Sequence, residues 1–147
     1  MEKVLPDPAQ LLTHRPPMLL LDAIQELNSR HCRAVKVVDP DDWYAQSDGS
    51  MPGWFGIELM AQTVAAWSGH EKYSDGGQPR PGYLLGTRRY KSRSSSFPPG
   101  TMLEIEVRQE FRDSSGLGAF ECKIIVDGLV VASAIVKVYE GPMEQDK

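Results

Sequence analysis

The chain has 147 residues, of which 41% are hydrophobic and 24% charged, with a formal net charge of −4. That length fits one domain spanning 1–147 and a core that needs no disulfide or metal to hold it. The acidic balance argues against general nucleic-acid binding, and two cysteines without a CxxC or Cys/His cluster signal neither zinc nor a disulfide framework.

In chain order, residues 6–13 (Pro-Asp-Pro-Ala-Gln-Leu-Leu-Thr) suggest a short leading helix, and Met18 to Leu27 a first strand. His31 to Asp39 alternates around Cys32, Ala34, Val35, Val37 and Val38 and is expected to be a second strand, closed by Asp39-Pro40. A polar loop over 40–51 leads into a long helix of about 52–69. The segment 74–81, rich in Gly and Pro, reads as a flexible turn. Three or four long strands are expected after it, at about 82–93, 101–113, 117–127 and 129–140. Ser114-Ser115-Gly116 and Asp127-Gly128 are the hairpin signals between the last three. Gly141 to Lys147 is expected to fray. Cys32 and Cys122 both fall in these strands and read as structural, buried thiols.

The long helix is the most unusual segment. Pro52 suits a first helical position, where its missing N–H costs nothing. From Trp54 to Trp67 the side chains are apolar nearly all round, interrupted by Glu58, Gln62 and Thr63. Such a helix is normally buried. A carboxylate inside it must pair, hydrogen-bond or stay protonated. Kept protonated, Glu58 is a natural general acid; the other reading makes it a structural hydrogen-bond anchor. Gln62 lies four residues on, on the same face, and reads as orienting Glu58 or capping a carbonyl. Trp54, Phe55 and Trp67 read either as core or as the lining of a tunnel.

One long buried helix and an antiparallel run of strands make the fold class α+β. A helix apolar all round needs cover on every side, and one curved sheet covers only part of it. A homodimer or heterodimer is therefore expected. No leader-like apolar region precedes the first element, and the only long apolar run carries Glu58 and Gln62, so a cytoplasmic protein with no membrane partner is expected.

These segments together resemble the hot-dog fold and, within it, FabZ/FabA-type 3-hydroxyacyl-ACP dehydratases. His14-Arg15-Pro16-Pro17-Met18-Leu19-Leu20-Leu21-Asp22 looks like the family's His-Arg-x-Pro-(apolar)₄-Asp opening. Pro52-Gly53 with Glu58-Leu59-Met60-Ala61-Gln62 looks like its Pro-Gly…Glu-Ala-Met-Ala-Gln helix. Phe97-Pro98-Pro99-Gly100 resembles the Pro-Gly turn before its next strand. The resemblance spans about residues 10–140 and is nearest to the ApeP-like dehydratases of aryl-polyene and related systems. It implies a curved sheet wrapped around the central helix. It also implies an acyl chain carried on the phosphopantetheine of an acyl carrier protein, with no cofactor of the protein's own. Glu58 then matches the carboxyl that protonates the departing hydroxyl, and Gly53 the N–H that polarises the thioester carbonyl. A helix N-terminus suits that second task through its free N–H groups and dipole. The other reading of Gly53 is close helix–sheet packing.

The chain departs from the pattern at one place. The family's histidine lies fourteen residues before the carboxyl, where this chain has Tyr44. A tyrosine is ionised at only about one part in a thousand near pH 7, so it is a poor base. Of the histidines present, His14 reads as structural and His31 as exposed. His70 lies about 18 Å along the helix from Glu58 at 1.5 Å per residue. The departure suggests a heterodimer with a His-bearing hot-dog paralogue that completes one working site.

Between Asp75 and Glu104 there is no acidic residue, yet Arg80, Arg88, Arg89, Lys91 and Arg93 fall there. Strand alternation would put Arg89, Lys91 and Arg93 on one face and Arg88 on the other. Such a stripe fits an acidic carrier protein or an edge strand protected by charge. Ser94-Ser95-Ser96 beside it reads as a pantetheine contact or as ordinary loop. Two other functional readings stand beside the dehydratase: a non-catalytic carrier-binding subunit, and a hot-dog thioesterase in which Glu58 activates water.

Overall fold

Strands drawn from residues 23–37 and 83–139 fold into a six-stranded antiparallel sheet that packs against the central helix. The computed structural model describes residues 5–74 and 83–139. Its elements are α1 (Pro8–Leu11), β1 (Ala23–Leu27), β2 (His31–Val37), β3 (Met51–Pro52), α2 (Phe55–Ser74), β4 (Tyr83–Ser92), β5 (Ser96–Phe97), β6 (Met102–Arg112), β7 (Leu117–Val126) and β8 (Leu129–Tyr139). The sheet order is β1-β2-β6-β7-β8-β4, with β3 and β5 forming a separate two-stranded ladder. Most of the expected 74–81 turn, Arg80 and the 141–147 tail lie outside the described residues.

Period-two patterning decides which face is buried. Leu103, Ile105 and Val107 of β6, Phe120, Cys122 and Ile124 of β7, and Ala132, Ala134 and Val136 of β8 point into one core. They meet Leu59, Met60, Val64 and Trp67 of α2 there. Each large apolar side chain so buried contributes roughly 1.5–3 kcal/mol. The Asp127-Gly128 hairpin forms as expected, with φ of 50° and 80°, the positive pair that a tight two-residue turn requires. Thr101 N–H bonds Pro98 O, and Gly100 takes φ 84°, closing the Pro-Pro-Gly turn before β6. Cys32 and Cys122 are both fully buried, and burial pushes the Cys32 thiol up to about 12 and raises that of Cys122 as well.

Three expectations need correction. The helix starts at Phe55 rather than Pro52, because Met51 and Pro52 pair with Phe97 and Ser96. Sheet pairing takes the backbone that propensity assigned to the helix. The same helix runs on to Ser74, through Gly69, whose place is set by packing: a Cβ there would lie 1.9 Å from the carbonyl oxygen of Leu11 in α1. The first strand begins only at Ala23, since Met18 and Leu20 before it are tied to Gln62 of α2.

His31 is buried, not exposed, at 6% accessibility. In the ladder, Arg33 is flanked by Glu26 on β1 and Glu106 on β6. His31 Nε2 lies 2.8 Å from Glu106 Oε2, and Arg33 donates to the same oxygen at 3.0 Å. Burial by itself raises Glu106, but the hydrogen bonds and charges of His31 and Arg33 outweigh it, and the carboxyl is held below its usual range. This charged cluster sits on the sheet face opposite Cys32 and Ala34. Among the described residues, no helix is long and apolar enough to cross a membrane, and no cluster of three or more His, Cys, Asp or Glu is placed to hold a metal ion.

Candidate active site

Glu58 stands in the first turn of α2, on the side of the helix that the sheet leaves open. Its side chain is 42% exposed, so it is not the fully buried carboxylate that the apolar run suggested. One sheet covers one side of the helix, and Glu58 is on the other. Its Oε2 accepts a hydrogen bond from Gln62 Nε2 at 2.8 Å. Gln62 is itself buried, with three hydrogen bonds: Nε2 also donates to Met18 O at 2.8 Å, and Oε1 accepts from Leu20 N–H at 2.9 Å. The side chain therefore does both things expected of it, capping a carbonyl and holding Glu58.

The tied stretch brings His14 to the site. His14 Nε2 is 3.7 Å from Glu58 Oε2, with its side chain 34% exposed. The purely structural reading of His14 missed this proximity. The available signal was its place at the head of the motif that runs into Met18–Leu20, together with the absence of a loop histidine.

Gly53 is placed differently from the expected carbonyl-polarising donor. Its N–H already donates to Ser95 O at 2.8 Å. A Cβ on Gly53 would lie 2.8 Å from Ser94 O and 3.0 Å from Ser95 O, so close backbone packing requires glycine there. Helical bonding starts with Gly56 N–H on Gly53 O and Ile57 N–H on Trp54 O. The N–H groups of Trp54 and Phe55 precede that ladder, in the position where helices leave donors unpaired. Sequence reasoning also missed Tyr90, whose hydroxyl donates to Gly53 O at 2.6 Å. Burial pushes its phenol up, which keeps it a donor.

Tyr44 is tied into its own loop. Its ring is 5% exposed and packs on Phe55 with centroids 5.7 Å apart. Its hydroxyl accepts the Asp39 N–H at 2.9 Å, closing the loop, and Lys36 Nζ stands 5.3 Å from the ring centroid. Trp67 is core: its ring meets Phe120 edge-on and its Nε1 donates to Asn28 O at 3.0 Å. Trp54 is 64% exposed and stacks on Phe55 at 4.2 Å.

Arg88, Arg89 and Lys91 lie on β4, an edge strand, and Arg93 follows directly after its last residue. Arg88, Arg89, Lys91 and Arg93 are each exposed. The expected split, with Arg88 on the opposite face, is undone by a bulge between Arg88 and Lys91 in which Arg89 adopts φ 58°. Arg89 and Lys91 border a small hollow of about 180 Å³, and Lys91 and Arg93 a second of about 260 Å³. A larger open groove of about 930 Å³ lies beside Lys36, Asp22 and Asp42, and Glu58 and His14 are not among its lining residues.

Comparison with known proteins gives a consistent picture. The family model ApeP-like, described as ApeP dehydratase, matches residues 6–147. A 3-hydroxyacyl-[acyl-carrier-protein] dehydratase FabZ from Syntrophotalea carbinolica is 32% identical over 148 residues, covering 95% of this chain and 96% of that one. A FabZ from Pseudothermotoga lettingae is 32% identical over 131 residues, covering 88% and 90%. Among solved structures, the dehydratase heterocomplex ApeI:P from Xenorhabdus doucetiae superposes with a TM-score of 0.87 at 29% identity, covering 91% of this chain and 90% of that one. A hypothetical thioesterase from Streptococcus pneumoniae matches with a TM-score of 0.62 at 15% identity, covering 82% and 90%, a likeness of fold alone.

Proposed function

Because the chain belongs to the ApeP-like dehydratase family, we propose that it acts as a 3-hydroxyacyl-[acyl-carrier-protein] dehydratase subunit. It would eliminate water across Cα–Cβ of a thioester-bound chain in fatty-acid or aryl-polyene-type biosynthesis. The observation that carries this reading is Glu58 itself. It is a carboxyl on the open side of a helix whose other face is buried against the sheet, fixed at 2.8 Å by a glutamine that is locked at both ends. Its role is to protonate the departing hydroxyl. The neighbouring N–H groups of Trp54 and Phe55 suit the developing enolate oxygen, as donors at a helix start do.

The assembly is a heterodimer with a second hot-dog subunit. Three features support it: the ApeI:P complex as a structural neighbour, the open edge of β4, and the half-exposed Glu58 beside the exposed Trp54. An exposed apolar side chain at a helix start and an unpaired strand edge both call for cover. The acyl carrier protein docks against Arg88, Arg89, Lys91 and Arg93, where positive charge on an acidic protein would speed its approach.

A second reading has its own support. The loop residue in the family's base position, Tyr44, is tied to Asp39, and the Gly53 N–H is tied to Ser95. A chain that lost its own chemistry and stabilises or presents substrate to an active partner would look this way. Dehydration of a 3-hydroxyacyl carrier-protein substrate separates the two, measured for the protein alone and mixed with its hot-dog partner, with Glu58 intact or changed to Gln. Turnover lost in Glu58→Gln supports the enzyme. Turnover indifferent to Glu58→Gln makes the chain a binding subunit, and free thiol release without dehydration makes it a thioesterase.

A further inference from the structure

We propose that His14 takes the Cα proton, so that this chain carries base and acid in one subunit; the proposal rests on the dehydratase reading above. The departure at Tyr44 suggested a histidine borrowed from a partner. The structure offers an imidazole already beside the carboxyl.

The placement of His14 is built rather than incidental. Arg15 donates to Leu12 O at 2.8 Å and His14 O at 2.7 Å, and the N–H groups of Met18 and Leu19 return to Arg15 O, which shapes the turn. Gln62 then clamps Met18 and Leu20 to α2 with the same amide that holds Glu58. One side chain thus sets both groups. Within the ring, Nδ1 is enclosed and has no hydrogen-bond partner among the described residues. Nε2, the nitrogen facing Glu58, is therefore the site through which the ring exchanges protons. Both side chains are partly open, 34% and 42% exposed, so a substrate can reach them.

The alternatives are occupied. Tyr44 is held by Asp39, Tyr90 by Gly53, and His31 by Glu106 on the opposite sheet face. His70 lies three turns along the helix.

The separation fits the reaction. Dehydration acts on adjacent carbons, and two proton-exchanging atoms 3.7 Å apart can reach Cα–H and Cβ–OH from one side. His14 Nε2 takes the Cα proton, and the electron pair of that C–H bond becomes the C=C bond. The Cβ–O bond breaks with its pair on oxygen, which takes the proton from Glu58 and leaves as water. An imidazolium then stands beside a carboxylate, and the proton passes from Nε2 to Oε2. The pair ends the cycle with the proton count it started with.

The test uses the protein assembled with its hot-dog partner and a 3-hydroxyacyl carrier-protein substrate deuterated at Cα. His14→Gln and His14→Asn are expected to lower kcat at least about 100-fold, the range for a lost general base, with KM changed less than about twofold. Both should also lose deuterium washout from Cα. Glu58→Gln should stop dehydration yet retain washout. If both His14 variants keep kcat within about threefold, the base lies elsewhere, as in the partner subunit, and the proposal is overturned. No dehydration by the unmodified assembly overturns the dehydratase reading instead.

Discussion

Gln62 and Glu58 are joined by a 2.8 Å hydrogen bond from an amide whose other contacts reach Met18 O and Leu20 N–H. Helix, opening motif and candidate acid are therefore one hydrogen-bonded unit. Removing the amide should cost both stability and activity. Gln62→Leu leaves the buried Leu20 N–H without its partner, at about 1–3 kcal/mol, and also removes the bond to Met18 O. A chemical denaturation curve should shift to lower midpoint, and kcat should fall more than KM changes, because Glu58 loses its fixed orientation. An unchanged denaturation midpoint would contradict the clamp.

Tyr44→Phe separates structure from chemistry at the position where the family keeps its histidine. The hydroxyl accepts one hydrogen bond, from Asp39 N–H. Its loss should cost about 1 kcal/mol, or roughly 2–4 °C in Tm for a chain of this size. Dehydration rate should stay within about twofold at a temperature where the variant is folded. A collapse in rate without loss of stability would restore Tyr44 as a base.

Gly69→Ala should be disproportionately damaging for an added methyl. Alanine is the better helix former by about 1 kcal/mol, so propensity alone predicts stabilisation. The Cβ would instead meet Leu11 O at 1.9 Å, a backbone atom that cannot rotate away. Either α1 or α2 must shift, at a cost of about 1–3 kcal/mol or more. Thermal melts of the two proteins give the sign, and a raised Tm would show that α1 does not pack there.

The Glu106 cluster gives stability a pH dependence. Hydrogen bonds and charge from His31 and Arg33 hold its carboxyl below its ordinary value of 4.5. The unfolded chain then binds more protons in acid, so this contribution is full above about 4.5 and is lost as pH falls through the lower folded value. Stability measured from pH 6 downward should decline in that window. Glu106→Gln should flatten the part of the decline that belongs to this group. Identical slopes in the two proteins would remove Glu106 from the account.

Both cysteines should resist modification in the folded protein. Burial raises both thiols, Cys32 to about 12, so little reactive thiolate forms near neutral pH. Alkylation by iodoacetamide should be slow until denaturant is added, and then involve two thiols per chain, the number in the sequence. Fast labelling of the native protein would mean that the strands carrying Cys32 and Cys122 open readily.

What was legible in the sequence is what depends on local pattern. Period-two alternation gave the last three strands nearly to their ends, Asp127-Gly128 gave its hairpin, and the near absence of polar residues from Trp54 to Trp67 gave the buried helix. Glu58 and Gln62 were legible as a pair because four residues bring side chains to one helix face. What remained hidden depends on which distant segments meet. Pro52 reads as helical until β5 pairs with it, His31 reads as exposed until Glu106 arrives across the ladder, and Arg88 joins the exposed basic residues only through a bulge. The Gly53 N–H looked free until Ser95 came within 2.8 Å. His14 is the extreme case, since 44 residues separate it from Glu58 in the chain and 3.7 Å separate the two side chains in space. Local spacing specifies faces and turns; only tertiary pairing decides which polar group on a face meets a partner from elsewhere in the chain.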